Sequence, residues 1–355
     1  MKKTVFRLTA VLLAVLSAFA VAEGILRFVP SVPGQGVSTV TAGDFARIPG
    51  IHAPGQSLVD RSDPGLPYQV TVNRWGYRGE DFPLAKPEGE LRILLVGDSF
   101  TYGAFVDDSS TLPVQLERQL EDACGPATVI NAGLGGSTIV GQAALALRGL
   151  RASPDLVLLM FYENDVQDLT HPLWPQLESN REVKSRPPLS WVYPVARRTA
   201  LWNLLLKVRA KARNRAGKSA QAIWDRDADS VVTSLRREYT DRLYALHDSL
   251  AQKEVPLAVA VYPSHHSVWD STLNGQLEWL ADMLSAREIP WWDFSPVLRE
   301  SALPDTSLYF LPLDGHPRPI GYRMAADSLS DWLLEQDAVA RLCGRNDVER
   351  ERATS

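Results

Sequence analysis

The stretch Arg92-Ile-Leu-Leu-Val-Gly-Asp-Ser-Phe-Thr-Tyr-Gly103 indicates the fold of this chain. Its run of branched apolar residues is typical of a strand that is buried on both faces in a parallel sheet. Open α/β sheets bind their ligands just beyond the carboxyl ends of such strands. Ser99 follows the strand directly and would present its hydroxyl to that crevice, beside backbone N–H groups. This is a position where a nucleophile can act.

Strand and helix patterns alternate along most of the remaining chain. Further buried strands are predicted at 128–130, 155–161, 255–262 and 289–294, and helices at 109–123, 139–152, 231–253, 273–287 and after the loop 308–322 as far as 340. This alternation predicts a doubly wound, flavodoxin-like parallel sheet of about five strands in a three-layer α/β/α domain. The rhythm breaks between 169 and 229, which we interpret as a helical insertion.

Composition and pattern together suggest how the chain is divided. We expect a signal-anchor or signal peptide at 1–29, an N-terminal extension and linker with one short strand at 30–90, the α/β domain with its insertion at 91–340, and a C-terminal tail at 341–355. Within the insertion, Arg197–Lys218 is a basic helical stretch with an apolar stripe. It is either a solvated helix packed on the domain or a lid over the crevice that also touches anionic membrane or polymer.

The N-terminus carries a targeting signal. Three positive residues within the first seven positions precede an apolar run from Leu8 to Ala22, which predicts a cytoplasmic N-terminus and an exported remainder. Ala20-Val-Ala22 fits a cleavage site. The apolar character nevertheless continues to Val29, and a span needs roughly 20 residues. We favour a retained anchor formed by residues 5–29 in the inner membrane over a cleaved signal. Both alternatives place the α/β domain in the periplasm or cell envelope.

Charge and cysteine content narrow the partners and the compartment. A formal net charge of -5 gives no global reason to expect nucleic-acid binding. Cys124 and Cys343 are the two cysteines of the chain. In an exported protein they can form a disulfide, and two unpaired buried thiols are the alternative.

Four polar blocks follow predicted strands or precede the last helix, and none is diagnostic alone. In chain order they are Gly97-Asp-Ser99, Asn131-Ala-Gly-Leu-Gly-Gly-Ser-Thr138, Glu163-Asn-Asp165 and Asp314-Gly-His316-Pro317. In this order they resemble the SGNH/GDSL hydrolase superfamily, and the resemblance covers Arg92 to about Leu334. The stretch Asn73-Arg-Trp-Gly-Tyr-Arg-Gly79 ahead of them resembles the exported, membrane-anchored bacterial branch.

The resemblance implies serine ester chemistry without a metal or organic cofactor. Ser99 would be the nucleophile, whose hydroxyl needs an adjacent base, and His316 would be that base. Asp314 would hold the imidazole tautomer and stabilise the imidazolium. The oxyanion hole would consist of the backbone N–H groups of Ser99 and Gly136 and the side-chain amide of Asn164.

Two departures from the family pattern affect these assignments. Tyr162 stands where the third block usually has glycine, which would reshape a wall of the site. Asp314 lies two residues before His316, whereas in the family the aspartate usually lies three residues before the histidine. The shorter spacing resembles that of SGNH-like proteins that O-acetylate exported polysaccharides. Asp305 as a distant substitute and a two-residue Ser–His arrangement therefore remain alternatives to Asp314.

The expected activity is hydrolysis of O-acetyl or short acyl esters on an envelope glycan or glycolipid. An O-acetyltransferase acting on an exported polysaccharide would use the same residues, and a non-catalytic glycan-binding or assembly protein could keep the same fold. His265 and His266 follow the fourth buried strand. Because no spaced third ligand accompanies them, we expect a substrate wall or a structural role and no metal.

Overall fold

The structure, a computed structural model, describes residues 2–28, 54–55, 57–60, 67–169, 183, 186–196, 199–202, 204–205, 208, 230–265, 267–268, 275–301, 309–311 and 315–344. Asp314, Asp305 and His266 lie outside the described residues, and so does most of the basic stretch Arg197–Lys218.

In the described part of the chain, seven strands form two sheets. They are β1 (Ser57–Asp60) and β2 (Tyr68–Thr71) in a small antiparallel sheet, and β3 (Leu91–Gly97), β4 (Ala127–Gly133), β5 (Leu156–Phe161), β6 (Leu257–Val261) and β7 (Trp291–Asp293) in a parallel one. The order across the parallel sheet is β4-β3-β5-β6-β7. This is the flavodoxin-like order. The chain adds β4 on one side of β3 and then crosses to the other side of β3 to add β5, so the switch point lies between β3 and β5. The predicted fold class is confirmed.

Ten α-helices are described, besides a helical segment over 337–344. They are α1 (Lys2–Phe28), α2 (Ser99–Tyr102), α3 (Leu112–Cys124), α4 (Ile139–Gly149), α5 (Asn164–Gln167), α6 (Leu189–Ala196), α7 (Ser230–Ala251), α8 (Gly275–Ser285), α9 (Ser295–Glu300) and α10 (Pro319–Leu334). Helices α3 and α10 cover one face of the parallel sheet, and α4, α7 and α8 cover the other. The three layers are therefore those predicted.

Each face of the parallel sheet has its own hydrophobic core. Successive side chains of a strand point to opposite faces. Accordingly, Ile93 and Leu95 pack with α3 and α10, whereas Leu94 and Val96 pack with α4 and α7. All four side chains are completely buried. Burying one such side chain contributes roughly 1.5–3 kcal/mol, so β3 is anchored on both faces up to the residue before Gly97.

Three predicted helix boundaries were wrong by three residues or more. Residues 108–110 form a 3₁₀ turn, and α3 begins only at Leu112, because Thr111 is extended and Pro113 favours the first helical turn. Helix α4 ends at Gly149 instead of the predicted 152, because residues 150–152 form a 3₁₀ turn. The last predicted helix ends at Leu334, and a turn at 335–336 separates it from a helical segment over 337–344.

That terminal segment carries one end of a disulfide. Cys124, the last residue of α3, is bonded to Cys343 across 219 positions of sequence. The turn at 335–336 redirects the chain after α10 and lets the segment over 337–344 reach α3. Of the two alternatives for these cysteines, the disulfide is the one observed. It ties the C-terminal end of the described chain to the body of the domain.

Candidate active site

The nucleophile candidate lies on a sharp turn between β3 and α2. Asp98 precedes the helix as its N-cap, and its Oδ1 accepts a hydrogen bond from the backbone N–H of Phe100 at 2.8 Å. A Cβ on Gly97 would lie 2.2 Å from Thr101 Oγ1 and 3.0 Å from the backbone oxygen of Met160. Only glycine fits this close approach. The turn therefore leaves Ser99 partly exposed at the carboxyl edge of the sheet, between two buried neighbours.

His316 lies against Ser99. Its Nε2 is 2.7 Å from Ser99 Oγ, although 217 positions of sequence separate them. The ring centroid lies 5.0 Å from that of Phe100 and 5.4 Å from that of Phe105, so aromatic side chains on two sides hold the imidazole. The distance is within the range that a base needs to take a proton from a serine hydroxyl.

The loop that carries His316 depends on a glycine. Gly315 has φ +83°, and a Cβ there would lie 2.5 Å from His265 Nδ1. Its N–H bonds to the carbonyl of Leu311 at 2.9 Å, and the N–H of Leu311 bonds to the carbonyl of His316 at 2.8 Å. These two bonds close the loop around residues that are not all described. His265 therefore contributes to the wall behind this loop.

The second block forms a loop beside the nucleophile. Gly97 and Gly133 are aligned in the β3–β4 register, so both strands end at the same level. The Leu134 N–H and the Ser137 hydroxyl each donate to the carbonyl of Gly97 at 3.0 Å. A Cβ on Gly135 would lie 3.9 Å from Ser99 Cβ.

Gly136 follows in this loop with φ +70°, a conformation that glycine adopts without strain. Because a side chain added at Gly135 would touch Ser99, this loop lies beside the serine.

Asn164 begins α5, directly beyond the neighbouring strand β5. Its Nδ2 donates to Asp168 Oδ2 at 3.1 Å, one helical turn later. Burial raises the pKa of Asp98, and Asn164 is one of the groups that partly oppose this rise, so the amide lies beside the N-cap of the nucleophile turn. Its Oδ1 is buried and has no hydrogen-bond partner among the residues described. Ser99, His316 and Asn164 are thus brought to one edge.

Three carboxyl groups lie behind this edge. Burial raises the pKa of Asp98, and the Phe100 N–H bond and the nearby His316 partly oppose that rise. Burial, and then the charge of Asp98, raises the pKa of Asp165 well above its usual range, although Gln142 donates to it at 2.9 Å. The same two causes raise the pKa of Asp168 to about 7.

Sequence reasoning missed Gln142 and Asp168 as neighbours of the site. The i, i+4 spacing of Asn164 and Asp168 was the available signal, since such residues meet on one helix face.

Arg78 belongs to the stretch Asn73–Gly79 that the sequence analysis singled out, but the sequence assigned no role to it. It is buried, and its Nε bonds to Asp108 Oδ1 at 2.8 Å. Its two terminal nitrogens donate to four backbone carbonyls, those of Gln69, Tyr102, Gly103 and Val106, at 2.7 to 2.9 Å. A guanidinium has five N–H donors, and this one uses them to fix the chain that follows α2.

Tyr162, which replaces the usual glycine of the third block, lies in the wall of the site. The Tyr162 ring stacks on that of Phe100, with a centroid distance of 3.8 Å. Within the described part of the chain, no group of three or more His, Cys, Asp or Glu side chains could hold a metal ion. The absence of a cofactor remains a prediction.

Comparison with known families identifies the chain. The sequence model of the GDSL-like Lipase/Acylhydrolase family matches residues 95–324, more than half of the 355 residues. The chain belongs to this family. The matched segment of this GDSL protein runs from β3 into α10 and so includes Ser99, Asn164 and His316. The resemblance to the GDSL hydrolases is confirmed, and the protein is an ester-hydrolysing enzyme; the resemblance of residues 73–79 to the membrane-anchored branch stays a prediction.

Solved structures similar to this GDSL enzyme carry related names. A member of the lipolytic protein G-D-S-L family from Veillonella parvula DSM 2008 is 15% identical, with 69% of this chain and 100% of that chain covered and a TM-score of 0.41. The lipase/acylhydrolase from Enterococcus faecalis is 14% identical, with 72% and 96% covered and a TM-score of 0.40. The psychrotrophic esterase EstA from Pseudoalteromonas sp. is 12% identical, with 68% and 94% covered and a TM-score of 0.40. No curated protein sequence matches.

Proposed function

We propose that this protein is a serine esterase that hydrolyses O-acetyl or short acyl esters through an acyl-enzyme. Ser99 is the nucleophile, His316 the general base and acid, and Asp314 the carboxylate that orients His316. The observation that carries the proposal is the 2.7 Å distance between Ser99 Oγ and His316 Nε2. A serine hydroxyl is a weak nucleophile unless such a base takes its proton.

In the first half of the reaction, Ser99 Oγ attacks the ester carbonyl carbon while His316 Nε2 takes the hydroxyl proton. The backbone N–H groups of Ser99 and Gly136 and the amide of Asn164 receive the negative charge that develops on the carbonyl oxygen. His316 returns the proton to the departing alcohol, which leaves Ser99 acylated. A water molecule, deprotonated by His316, then attacks the acyl group and releases the carboxylic acid and free Ser99.

The proposed substrate is an acylated carbohydrate or glycolipid of the cell envelope. Residues Thr9–Phe28 of α1 are long and apolar enough to cross a membrane, and we propose that this helix is retained as an inner-membrane anchor. The positive residues ahead of it would then place the domain in the periplasm. The disulfide between Cys124 and Cys343 is typical of such an oxidising compartment.

The division of the chain follows the same proposal. The anchor occupies residues 1–29, the extension and linker 30–90, and the tail 341–355. The hydrolase domain occupies 91–340, and the helical insertion at 169–229 lies within it.

Labelling and product analysis test the function. The purified full chain is treated with a fluorophosphonate probe and with p-nitrophenyl acetate, alongside Ser99→Ala. The esterase predicts labelling and acetate release that the variant loses. If the wild-type chain is neither labelled nor active, the proposal is wrong and a non-catalytic glycan-binding role is favoured.

An O-acetyltransferase is the second candidate, because the short spacing of Asp314 and His316 resembles that of proteins that acetylate polysaccharides. In that case a sugar hydroxyl, instead of water, attacks the acyl-Ser99. Mass spectrometry with an acetyl-ester donor and an acceptor oligosaccharide separates the two. Acetylated acceptor supports the transferase, and free acetate alone supports the esterase.

A further inference from the structure

Among the described side chains of the N-terminal helix, those covered by protein lie at one end. Every side chain described between residues 3 and 21 of α1 is exposed, whereas Ala22, Glu23, Gly24 and Leu26 are partly buried. The proposed orientation places this covered end at the extracytoplasmic side of the membrane. Some part of the folded chain therefore contacts α1 just where the helix would leave the bilayer.

The contacting part is the helical insertion. The Glu23 carboxylate accepts hydrogen bonds from the backbone N–H groups of Ala200 at 2.9 Å and Leu201 at 3.1 Å. The Thr199 hydroxyl accepts the next one, from the N–H of Trp202, at 3.1 Å. The first N–H groups of a helical turn need partners from outside that turn. Glu23 provides two of them, so this turn is fixed to the end of α1.

Helix α6 lies next to that turn and presents apolar side chains to the outside. The ring of Tyr193 in α6 meets the ring of Trp202 edge-on at a centroid distance of 5.8 Å. Trp191 and Val195 of α6, four residues apart, are 71% and 67% exposed, and Val192 between them is exposed as well. Trp191, Val192 and Val195 together form what we call the α6 apolar face.

We propose that the α6 apolar face is inserted into the extracytoplasmic interface of the lipid bilayer that α1 spans. Glu23 lies about 7.5 Å along α1 before Phe28, so its bonds hold the insertion close to the extracytoplasmic end of the span. Trp and Tyr are enriched at that level because their rings have an apolar body and a polar edge. An apolar helix face can lie in the plane of the interface and bury itself in the headgroup and acyl boundary. The proposal rests on α1 being the retained anchor proposed above.

Fluorescence quenching by brominated lipid tests this contact. The full chain is reconstituted in phosphatidylcholine nanodiscs with either brominated or ordinary acyl chains. Trp191→Phe removes a tryptophan that should be quenched, and the matched control Trp292→Phe removes one that is 7% exposed in the domain core. We expect the fraction of fluorescence quenched by brominated lipid to fall in Trp191→Phe and to rise slightly in Trp292→Phe.

The outcomes separate the two proposals. If the chain enters nanodiscs but Trp191→Phe leaves the quenched fraction unchanged, the lipid contact is refuted and the anchor stands. A Trp191→Asp variant that turns an oligomer into a monomer, with no quenching of Trp191, would instead assign the face to a second copy of the chain. If the full chain stays soluble without lipid, or is recovered without α1, both proposals are wrong.

Discussion

Asp168→Asn should stabilise this protein at neutral and alkaline pH and have little effect in acid. Burial and the charge of Asp98 raise the pKa of Asp168 from its ordinary 3.8 to about 7. The folded state therefore favours the protonated carboxyl more than the unfolded chain does. Stability from this group is fully present below the unfolded pKa, declines as the pH rises, and is lost once the pH passes about 7.

The size of the effect follows from the same pKa values. A tenfold change in a proton equilibrium is worth about 1.4 kcal/mol. The rise in the pKa of Asp168 to about 7 thus corresponds to a loss of at most ~4 kcal/mol of folding stability once Asp168 is ionised. Asparagine cannot ionise, and its side-chain oxygen can still accept the bond from Asn164 Nδ2. The variant keeps the contact and avoids the penalty.

Urea unfolding of the full chain in detergent, followed from pH 4 to pH 9, measures this difference. The free energy of unfolding of Asp168→Asn minus that of the wild type should grow between pH 4 and pH 7 and then level off. Asp337→Asn is the control, because Asp337 is exposed and forms a surface ion pair with Arg341, whose removal should change stability by less than about 1 kcal/mol. A flat difference for Asp168→Asn would refute the assigned environment, and so would a variant that is less stable than the wild type at pH 8.

Three further perturbations address the site and its support. Asn164→Ala should lower kcat for p-nitrophenyl acetate about 100- to 1000-fold, the usual cost of one oxyanion donor, and a loss under threefold would remove Asn164 from that role. Cys343→Ser should lower the free energy of unfolding by ~2–5 kcal/mol, measured by urea unfolding, and an unchanged midpoint would contradict a stabilising disulfide. Gly133→Ala should lower the free energy of unfolding by ~1–3 kcal/mol and reduce activity, because the added Cβ would lie 2.1 Å from the backbone nitrogen of Tyr102. If Gly133→Ala had the stability and the activity of the wild type, the loop after β4 would have adjusted to the added Cβ.

The fold could be read from the sequence because its strands are buried on both faces. Runs such as Ile93 to Val96 and Leu156 to Phe161 have no polar face, and this pattern is characteristic of the inner strands of a parallel sheet. Glycine and small polar residues then end each strand at a visible position. The predicted strands therefore differ from the observed ones by only a few residues at their ends.

Helix ends were harder to predict, because they depend on contacts that lie far away in the sequence. Apolar periodicity continues past Leu334, yet the helix stops there and the chain turns so that Cys343 can bond to Cys124. Nothing local distinguishes this turn from another helical position. Arg78 is a similar case, since a surface arginine and one with five backbone and carboxylate partners look alike in a sequence.

The crowding of acids behind the site has a structural cause that yields one more test. Strands β3 and β5 are neighbours, and each ends in a tight turn into a short helix. Asp98 caps the first helix, and Asp168 accepts from Asn164 in the second. Two adjacent turns thus bring two carboxyl groups together, and the charge of Asp98 is one reason why the pKa of Asp168 is raised.

Asp98→Asn should therefore lower the pKa of Asp168, although burial, the larger cause, will keep it above its ordinary value. The asparagine oxygen can still accept from the Phe100 N–H, so the turn itself is retained. Urea unfolding of Asp98→Asn with and without Asp168→Asn gives the stability difference due to residue 168 at each pH. That difference should be smaller than in the wild-type background and should level off at a lower pH, because a neutral neighbour no longer opposes ionisation. An identical pH dependence in both backgrounds would mean that burial alone sets the pKa of Asp168.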